Sequence, residues 1–482
     1  MRVISLLFTF FSLSIASFSQ VPATEVRAVW LTTNWGLDWP TQGTSVAAQK
    51  EELENILDVL KRENFNTVLF QTRTQGSVFY KSGIEPESSY FNHAENFDPL
   101  AFVVGECHKR GLECHAWIVT YTMERAQMKY TGRGKRRKAI PVKNKPDYYK
   151  LINETWYLDP GRPETTNLIV SIVSEIVSGY DVDGVHFDYI RYPCNTGKFP
   201  DEDTFRQYGN GEKLSDWRRN NINRLVAEVY DTVKSIKKWV QVSSSPLGRY
   251  RVLPVSPNDG WTAYETVFQD AGHWMKSGKH DLLFPMMYYR GRNFYPFLDD
   301  WVANSNGRTI VPGLGVFQMD ELNWPLQDIT GQIEYIRENK VKGEAYFRAG
   351  NLLSNLKGVM DSVGTYYATP AKLPPLTWLD SIAPDSPLDL QVYKDNGLLN
   401  IKWNTPDENE DFTYTVYVSS TENIDRDNPN SILATGLRTD SYSFPVATGE
   451  FGLYYSVSAS DRYHNESVAC FPAYFSHSAN EQ

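Results

Sequence analysis

The sequence predicts a (β/α)8 TIM barrel followed by an all-β, immunoglobulin-like sandwich. Three observations predict this order. The chain has 482 residues, a length that suits two or three domains rather than one. From residue 25 to residue 367, apolar runs of strand length alternate with segments of helical periodicity. After residue 367 prolines accumulate and only short alternating strands follow.

Eight apolar runs predict the strands of the barrel. They cover residues 26–33, 67–73, 113–120, 184–191, 240–246, 282–289, 309–317 and 343–348. Helical periodicity fills the intervals, most clearly at residues 49–63, 99–110, 165–178, 214–238 and 326–339. Gly111, which follows the basic pair Lys109 and Arg110, is typical of a helix end. The alternation predicts one (β/α)8 domain over residues 25–367.

The tail begins with a proline-rich linker, predicted at residues 368–384. This segment contains Pro370, Pro374, Pro375 and Pro384. A sandwich is then predicted at residues 385–477 because short alternating strands recur there. They cover residues 388–392, 399–403, 414–419, 441–444, 452–460 and 467–475.

The first 19 residues have the pattern of a signal peptide. Arg2 precedes an apolar run from Ile4 to Ile15, and the small residues Ser17 and Ser19 follow it. We therefore expect an exported protein, either periplasmic or extracellular. No other stretch is long and apolar enough to predict a transmembrane segment.

Charge and motifs exclude several classes of partner. The formal net charge of −10 argues against nucleic acid, which would favour a basic face. The sequence has no glycine-rich phosphate loop and no dinucleotide fingerprint, so no cofactor is expected.

Chemistry in such a barrel is expected at the C-terminal ends of the strands. Side chains along a strand point alternately to the interior and to the helices, and the helix-facing set should be apolar. In the fourth strand Val185 and Phe187 are apolar, so His186 and Asp188 are predicted to point inward. The same reasoning predicts five more members of an inward polar cluster on other strands: Arg73, His115, Trp117, Glu344 and Arg348.

This polar cluster predicts a ligand site because unpaired buried charge is costly. Hydrolysis of a glycosidic bond typically uses two carboxyl groups. Asp188, at the top of its strand, is the leading candidate. The candidates for the second carboxyl or for contacts to the sugar are Glu344, Asp38, Asp159, Asp320 and Glu321. Five aromatic side chains are predicted to stack on sugar rings: Trp35, Trp39, Trp117, Tyr288 and Tyr289.

Several motifs of the barrel carry a family resemblance. They lie at residues 26–33, 38–40, 70–73, 98–100, 108–117, 158–161 and 183–193, and the last reads Asp-Gly-Val-His-Phe-Asp-Tyr-Ile-Arg-Tyr-Pro. In these motifs the chain resembles the glycosyl hydrolase-like 10 family. The resemblance implies a (β/α)8 fold, glycoside hydrolase activity and bacterial cell-wall glycan as substrate. It also implies a site that contains Asp188, His186, Arg191, His115 and Trp117.

The family pattern is not followed everywhere. Residues 119–122 read Val-Thr-Tyr-Thr, where the family often has Asn-Pro-Tyr-Arg. The tail, in turn, resembles a fibronectin type III domain, which implies that Trp403 is its core tryptophan.

Three functions are compatible with the sequence. The leading hypothesis is a secreted glycoside hydrolase that acts on a bacterial polysaccharide by carboxylate acid/base catalysis. A metal-dependent carbohydrate deacetylase or amidohydrolase would instead use His115, His186 and Asp188 as ligands. Against it, the eight histidines form no His-Glu-x-x-His motif. A non-catalytic glycan-binding barrel is the third hypothesis.

Overall fold

A computed structural model describes residues 21–125, 146–193, 199–256, 260–408, 410–446 and 451–477. The predicted signal peptide therefore lies outside the described residues. Within them, none of the helices combines the length and the apolarity that a membrane span requires.

The first part of the chain is built on a curled parallel sheet. Its strands are β1 (Val26–Leu31), β2 (Thr67–Thr74), the short antiparallel β3 (Ser77–Val78), β4 (Glu113–Val119), β8 (Gly184–Asp188), β9 (Gln241–Ser244), β10 (Leu282–Leu283), β11 (Thr309–Ile310), β12 (Gly313–Leu314) and β13 (Gly343–Tyr346). Their order is β11-β10-β9-β8-β4-β2-β1-β13-β12, and β3 pairs with β2. The predicted parallel α/β sheet is thereby confirmed, and its curl is consistent with a TIM-like fold.

The two strands at the ends of this order, β11 and β12, are joined by residues 311–312. The Val311 amide donates to the Leu283 carbonyl on one side, and the Ala345 amide donates to the Pro312 carbonyl on the other. Residues 311–312 thus form backbone hydrogen bonds to β10 on one side and to β13 on the other.

Helices follow the strands and cover the outside of the sheet. Those of the described residues are α1 (Val46–Arg62), α2 (Pro99–Lys109), α3 (Pro163–Gly179), α4 (Glu202–Tyr208), α5 (Leu214–Ile236), α6 (Ala263–Thr266), α7 (Ala271–Lys276), α8 (Tyr295–Ala303), α9 (Gln318–Glu321), α10 (Leu326–Glu338), α11 (Ala349–Leu353) and α12 (Val359–Tyr366). The longer ones agree with the predicted helices. In α1, Leu53, Leu57 and Leu60 are fully buried, which is the spacing of one helix face.

An insertion between β4 and β8 forms a separate small sheet that the sequence did not predict. It contains β5 (Thr122–Arg125), β6 (Tyr149–Ile152) and β7 (Thr155–Leu158) in the order β5-β7-β6. β5 starts three residues after the end of β4, so this sheet stands at the C-terminal end of the parallel strands.

The tail folds into two antiparallel sheets. Its strands are β14 (Leu388–Asp395), β15 (Leu398–Asn404), β16 (Thr413–Ser419), β17 (Ile432–Leu437), β18 (Ser441–Pro445), β19 (Phe451–Ser460) and β20 (Ala473–His477). They form the sheets β14-β15-β18 and β17-β16-β19-β20. Trp403 is fully buried in their shared core. The fibronectin type III assignment stays a prediction. Two details were wrong: β17 was missed, and the last strand begins at Ala473 rather than at Ser467.

The tail packs against the N-terminal end of the parallel strands. Arg438 of the tail pairs with Asp183 at 2.9 Å, and His464 lies 2.6 Å from a carboxylate oxygen of Glu113. Leu373 of the linker packs against the apolar interior of the curled sheet. A cavity of about 430 Å³ remains between the two parts. The tail therefore contacts the end of the sheet opposite to the predicted site.

Candidate active site

Asp188 is the last residue of β8, where the strand reaches the C-terminal end of the sheet. Its side chain is buried, and the Tyr189 amide donates a 2.7 Å hydrogen bond to one carboxylate oxygen. The Thr120 amide donates to the Asp188 carbonyl at 2.8 Å, which fixes the end of β8 against the end of β4. The Tyr189 amide thus orients the carboxyl group, while the Thr120 amide fixes the main chain of Asp188.

Burial raises the pKa of Asp188. The charge of Arg191, the Tyr189 amide and the side chains of Ser245 and Trp117 oppose this rise. A raised pKa favours the protonated carboxyl, which is the form that a general acid needs.

Arg191 is buried with much of its hydrogen-bonding capacity unused. Its guanidinium lies over the Tyr189 ring, 4.6 Å from the ring centroid. The Nε and Nη1 atoms are buried and have no hydrogen-bond partner among the described residues. These two donors are therefore unsatisfied within the described part of the chain.

His186 lies below Asp188 and is occupied by interior contacts. Its Nε2 accepts a 3.1 Å hydrogen bond from Trp30 Nε1, and its Nδ1 lies 3.0 Å from Ser243 Oγ. Because Nε2 is the acceptor, the ring proton is on Nδ1. Burial, together with the neighbouring histidines His115 and His280, lowers the pKa of His186 well below its ordinary value. His186 is therefore neutral, and its hydrogen bonds link β8 to Trp30 of β1 and to Ser243 of β9.

An aromatic wall stands beside Asp188; it consists of Trp117, Tyr288, Phe317 and Phe347. The Phe347 ring lies 6.4 Å from Trp117 and 5.6 Å from Tyr288, and Tyr288 lies 5.3 Å from Phe317. Burial and the nearby Asp188 carboxylate raise the pKa of Tyr288. Phe317 and Phe347 were missed by the sequence reasoning, although Phe317 ends the seventh predicted strand and Phe347 lies in the eighth.

Trp35 and Trp39 have opposite environments. Trp35 follows β1 and is 56% exposed, as a sugar platform requires. Trp39 is fully buried, its Nε1 donates to the Gln49 carbonyl at 2.8 Å, and its ring packs on Phe70. The prediction that Trp39 binds sugar is therefore wrong, because its ring belongs to the core between β1 and α1.

Asp38 joins the loop after β1 to the end of β13. One carboxylate oxygen is bonded by the Arg348 guanidinium and by the Gly350 amide at 2.8 Å, and the other by the Thr32 amide at 2.9 Å. Burial raises the pKa of Asp38, against the charge of Arg348. Its oxygens are thus engaged within the protein, unlike those of a free catalytic group.

Glu344 does not point into the interior. Ala345 belongs to the apolar interior, whereas Tyr346 belongs to the layer between strands and helices. Glu344 shares that outer layer, where its carboxylate accepts hydrogen bonds from Tyr367 at 2.7 Å and Tyr346 at 3.1 Å. The prediction was wrong because the apolar residues Ala345 and Phe347 line the interior and the polar ones face outward. Burial raises the pKa of Glu344 to about 7.

Arg73 is also turned away from Asp188. The pairing of β2 with β4 shifts between Gln71 and Arg73, which places Arg73 beside Ile118 of the helix-facing core. The guanidinium forms two bonds to Glu85, at 2.6 and 2.7 Å, and also contacts the Val119 carbonyl. The predicted inward position was wrong because a local register shift reverses the alternation. Through its contact with the Val119 carbonyl, Arg73 stabilises the C-terminal end of β4.

His115 lies in the interior but far below the mouth. It pairs with Gly184, four residues before Asp188, which is roughly 13 Å along the strand. Its Nε2 lies 3.1 Å from Glu113, close to the tail. The structure thus separates His115 from Asp188.

Asp159 is fully buried beneath the inserted sheet. Its carboxylate accepts from Thr204 Oγ1 at 2.5 Å and from the Gly161 amide at 3.0 Å, and Lys150 lies 3.5 Å away. Burial raises its pKa. These contacts fix the segment before α3.

A family model and two relatives agree with this geometry. The glycosyl hydrolase-like 10 model matches residues 25–312. The chain belongs to the glycosyl hydrolase-like 10 family. It is 32% identical over 478 residues to glycosyl hydrolase YngK of Bacillus subtilis (strain 168), covering 92% of each chain. It is 34% identical over 313 residues to glycosyl hydrolase DigH of Escherichia coli (strain K12), covering 59% of this chain and 71% of the relative.

Solved structures of low sequence identity share the fold of this glycosyl hydrolase-like 10 chain. Alpha-L-fucosidase isoenzyme 2 from Paenibacillus thiaminolyticus matches with a TM-score of 0.51 at 14% identity, over 76% of this chain and 52% of that one. The family and the fold together support a carbohydrate-active enzyme.

Proposed function

We propose that the protein is an exported glycoside hydrolase that cleaves a bacterial polysaccharide, namely the glycan strands of peptidoglycan. The observation that carries the proposal is Asp188: a buried carboxyl with a raised pKa, at the strand end where TIM-like folds place their chemistry. Asp188 acts as the general acid/base. Arg191 contacts the substrate, and Tyr288, Trp117 and the exposed Trp35 provide surfaces for sugar rings.

The metal-dependent alternative lacks a ligand set. Both ring nitrogens of His186 are engaged with Trp30 and Ser243, and His115 lies far below Asp188. In the described part of the chain, no group of three His, Cys, Asp or Glu residues is arranged to hold an ion. The residues present therefore favour acid/base chemistry over hydrolysis at a metal.

The deciding experiment is release of soluble fragments from purified peptidoglycan strands, with and without stem peptides. Wild type should release them and Asp188→Asn should be at least about 100-fold slower, since general acid/base groups contribute that much or more. Asp203→Asn is the matched control, because Asp203 is 83% exposed on α4 and should retain full activity. A fully active Asp188→Asn would refute the assignment. Binding without turnover by wild type would favour the non-catalytic barrel.

Export rests on the first 19 residues and is tested separately. Expression of the full chain should yield a mature protein whose N-terminus starts near residue 20, recovered from the periplasm or the medium. Retention of the uncleaved chain in the cytoplasm would refute export without affecting the assignment of Asp188.

A further inference from the structure

Trp261 is an exposed tryptophan on the long loop that follows β9. Its side chain is 44% exposed, and it directly precedes Thr262, the N-cap residue of α6. The Thr262 side chain accepts a 3.2 Å hydrogen bond from the Glu265 amide, which fixes the chain immediately after Trp261. The indole ring is thus presented to solvent from an anchored position.

Backbone hydrogen bonds hold this loop at the C-terminal end of the parallel strands. The Ala263 amide donates to the Arg249 carbonyl at 2.7 Å, so the loop folds back on itself. Tyr192, four residues beyond the end of β8, donates its amide to the Val267 carbonyl at 3.2 Å. Trp261 therefore lies at the same end of the barrel as the candidate acid/base.

Arg249 connects the Trp261 loop to the aromatic wall beside Asp188. Its buried guanidinium lies 5.0 Å from the centroid of the Tyr289 ring, and Tyr289 follows Tyr288 of the wall directly. A Cβ atom at Gly260 would lie 3.8 Å from Arg249 Nη1. The residue before Trp261 is therefore adjacent to a side chain that packs on the segment forming the wall.

Trp261 and Trp35 follow strands on opposite sides of the curled sheet. Trp35 follows β1 and Trp261 follows β9. Along the path through β8, β4 and β2, β9 lies four strands from β1. It is also four strands away through β10, the β11–β12 segment and β13, because residues 311–312 bond to both of their neighbours. An eight-stranded barrel of usual spacing and tilt is roughly 15 Å across, which is more than one sugar ring spans.

The candidate acid/base lies between these two tryptophans, with a third exposed ring beside it. Tyr189 directly follows Asp188, is 41% exposed and carries the Arg191 guanidinium 4.6 Å from its ring centroid. Exposed rings thus follow β1, β8 and β9 at one end of the barrel. Aromatic faces at such positions suit the apolar faces of sugar rings in a bound polysaccharide.

We propose that Trp261 binds a sugar at a subsite distant from the cleavage point, and that the glycan chain crosses the mouth of the barrel from Trp261, past Asp188, to Trp35. The inference rests on the glycoside hydrolase function proposed above. It specifies the substrate further, because sugars are bound on both sides of the bond that is cleaved. The enzyme therefore cleaves within chains and favours long ones.

The test measures binding of peptidoglycan oligosaccharides of defined length, without stem peptides, by calorimetry. Asp188→Asn is the parent protein, so binding is measured without turnover, and its affinity should rise with chain length. Adding Trp261→Ala should weaken binding of long chains about tenfold, as for an aromatic anchor, and leave the shortest bound chain unaffected. Trp261→Phe should keep most of the affinity because a ring remains.

Phe471→Ala is the matched control, because Phe471 is an aromatic residue of the tail that is 95% exposed. It should bind chains of every length as the parent does. In the wild-type background, Trp261→Ala should lower kcat/KM about tenfold for long chains and leave it unchanged for the shortest chain cleaved.

Several results would overturn the subsite at Trp261. One is equal binding of long chains with and without Trp261→Ala, and another is an equal loss at every length, which a structural role would produce. Val252 and Val255 are also exposed on this loop, so a change in oligomeric state with unchanged glycan binding would assign Trp261 to a contact between copies of the chain. Failure of the parent to bind any of these glycans would also overturn the subsite. Failure of wild type to cleave them would overturn only the hydrolase function, because binding to Asp188→Asn is measured independently.

Discussion

Replacement of Trp39 by alanine tests whether this tryptophan belongs to the hydrophobic core or to the sugar site. The Trp39 side chain is fully buried against Phe70, and its indole N–H bonds to the Gln49 carbonyl. Removal of a buried tryptophan costs about 3–5 kcal/mol, since burial is lost and a cavity remains. Trp39→Phe keeps a ring but removes the hydrogen bond to the Gln49 carbonyl, which should cost about 0.5–1.5 kcal/mol.

The assay is urea denaturation followed by far-ultraviolet circular dichroism, with midpoint and slope compared between variants. Trp35→Ala is the matched control, since Trp35 lies four residues earlier and is 56% exposed. Its free energy of unfolding should stay within about 0.5 kcal/mol of wild type. Its apparent affinity for glycan strands should fall, whereas Trp39→Phe should bind them normally.

Two results would refute this reasoning. A Trp39→Ala protein that unfolds at the wild-type midpoint would show that the ring is not part of the core. A Trp39→Phe protein of normal stability that no longer binds glycan would restore Trp39 to the sugar site.

Three further predictions concern charge. The pKa of Glu344 is raised to about 7, so the folded state holds its proton more tightly and stability falls as pH rises from about 4.5 to 7. The free energy of unfolding of Glu344→Gln should therefore exceed that of wild type by roughly 3 kcal/mol at pH 8 and equal it at pH 4. A difference that stays constant between these pH values would contradict the burial of Glu344. Glu113 raises the pKa of His464, so the stability from this pair is present below about pH 6.5 and lost as pH rises through the raised pKa. His464→Gln should flatten that part of the pH profile of unfolding, and an unchanged profile would argue against the contact. Chelation with EDTA should leave glycan cleavage unchanged because His186 has no free ring nitrogen; a loss that zinc restores would revive the metal hypothesis.

The order of strands and helices was predictable because apolar runs and helical periodicity in the sequence indicate each element. Each parallel strand is buried on both faces and reads as an apolar run, as in β1 and β8. Asp188 could be placed for the same reason, since Val185 and Phe187 reveal the alternation of β8. The small sheet of β5 to β7 was missed because its strands are only four residues long.

Side-chain direction was less predictable than strand position. The alternation rule assumes an apolar outer layer, and at β13 the outer layer holds Glu344 between two tyrosine hydroxyls. At β2 a register shift turns Arg73 outward. Trp35 and Trp39 look equivalent in sequence, and only the packing of Trp39 against Phe70 separates them. Such features depend on contacts between segments far apart in the chain, which a local pattern does not encode.

Buried carboxyl groups have different partners at the two ends of the barrel. At the N-terminal end, Glu113 contacts His464 of the tail and Asp183 contacts Arg438. An unpaired buried charge there would destabilise the fold. At the C-terminal end Asp188 keeps a raised pKa, and Arg191 keeps buried donors without partners among the described residues. A ligand bound at this end would complete those hydrogen bonds. The tail therefore contacts the N-terminal end of the parallel strands, and the chemistry proposed for Asp188 lies at the opposite end.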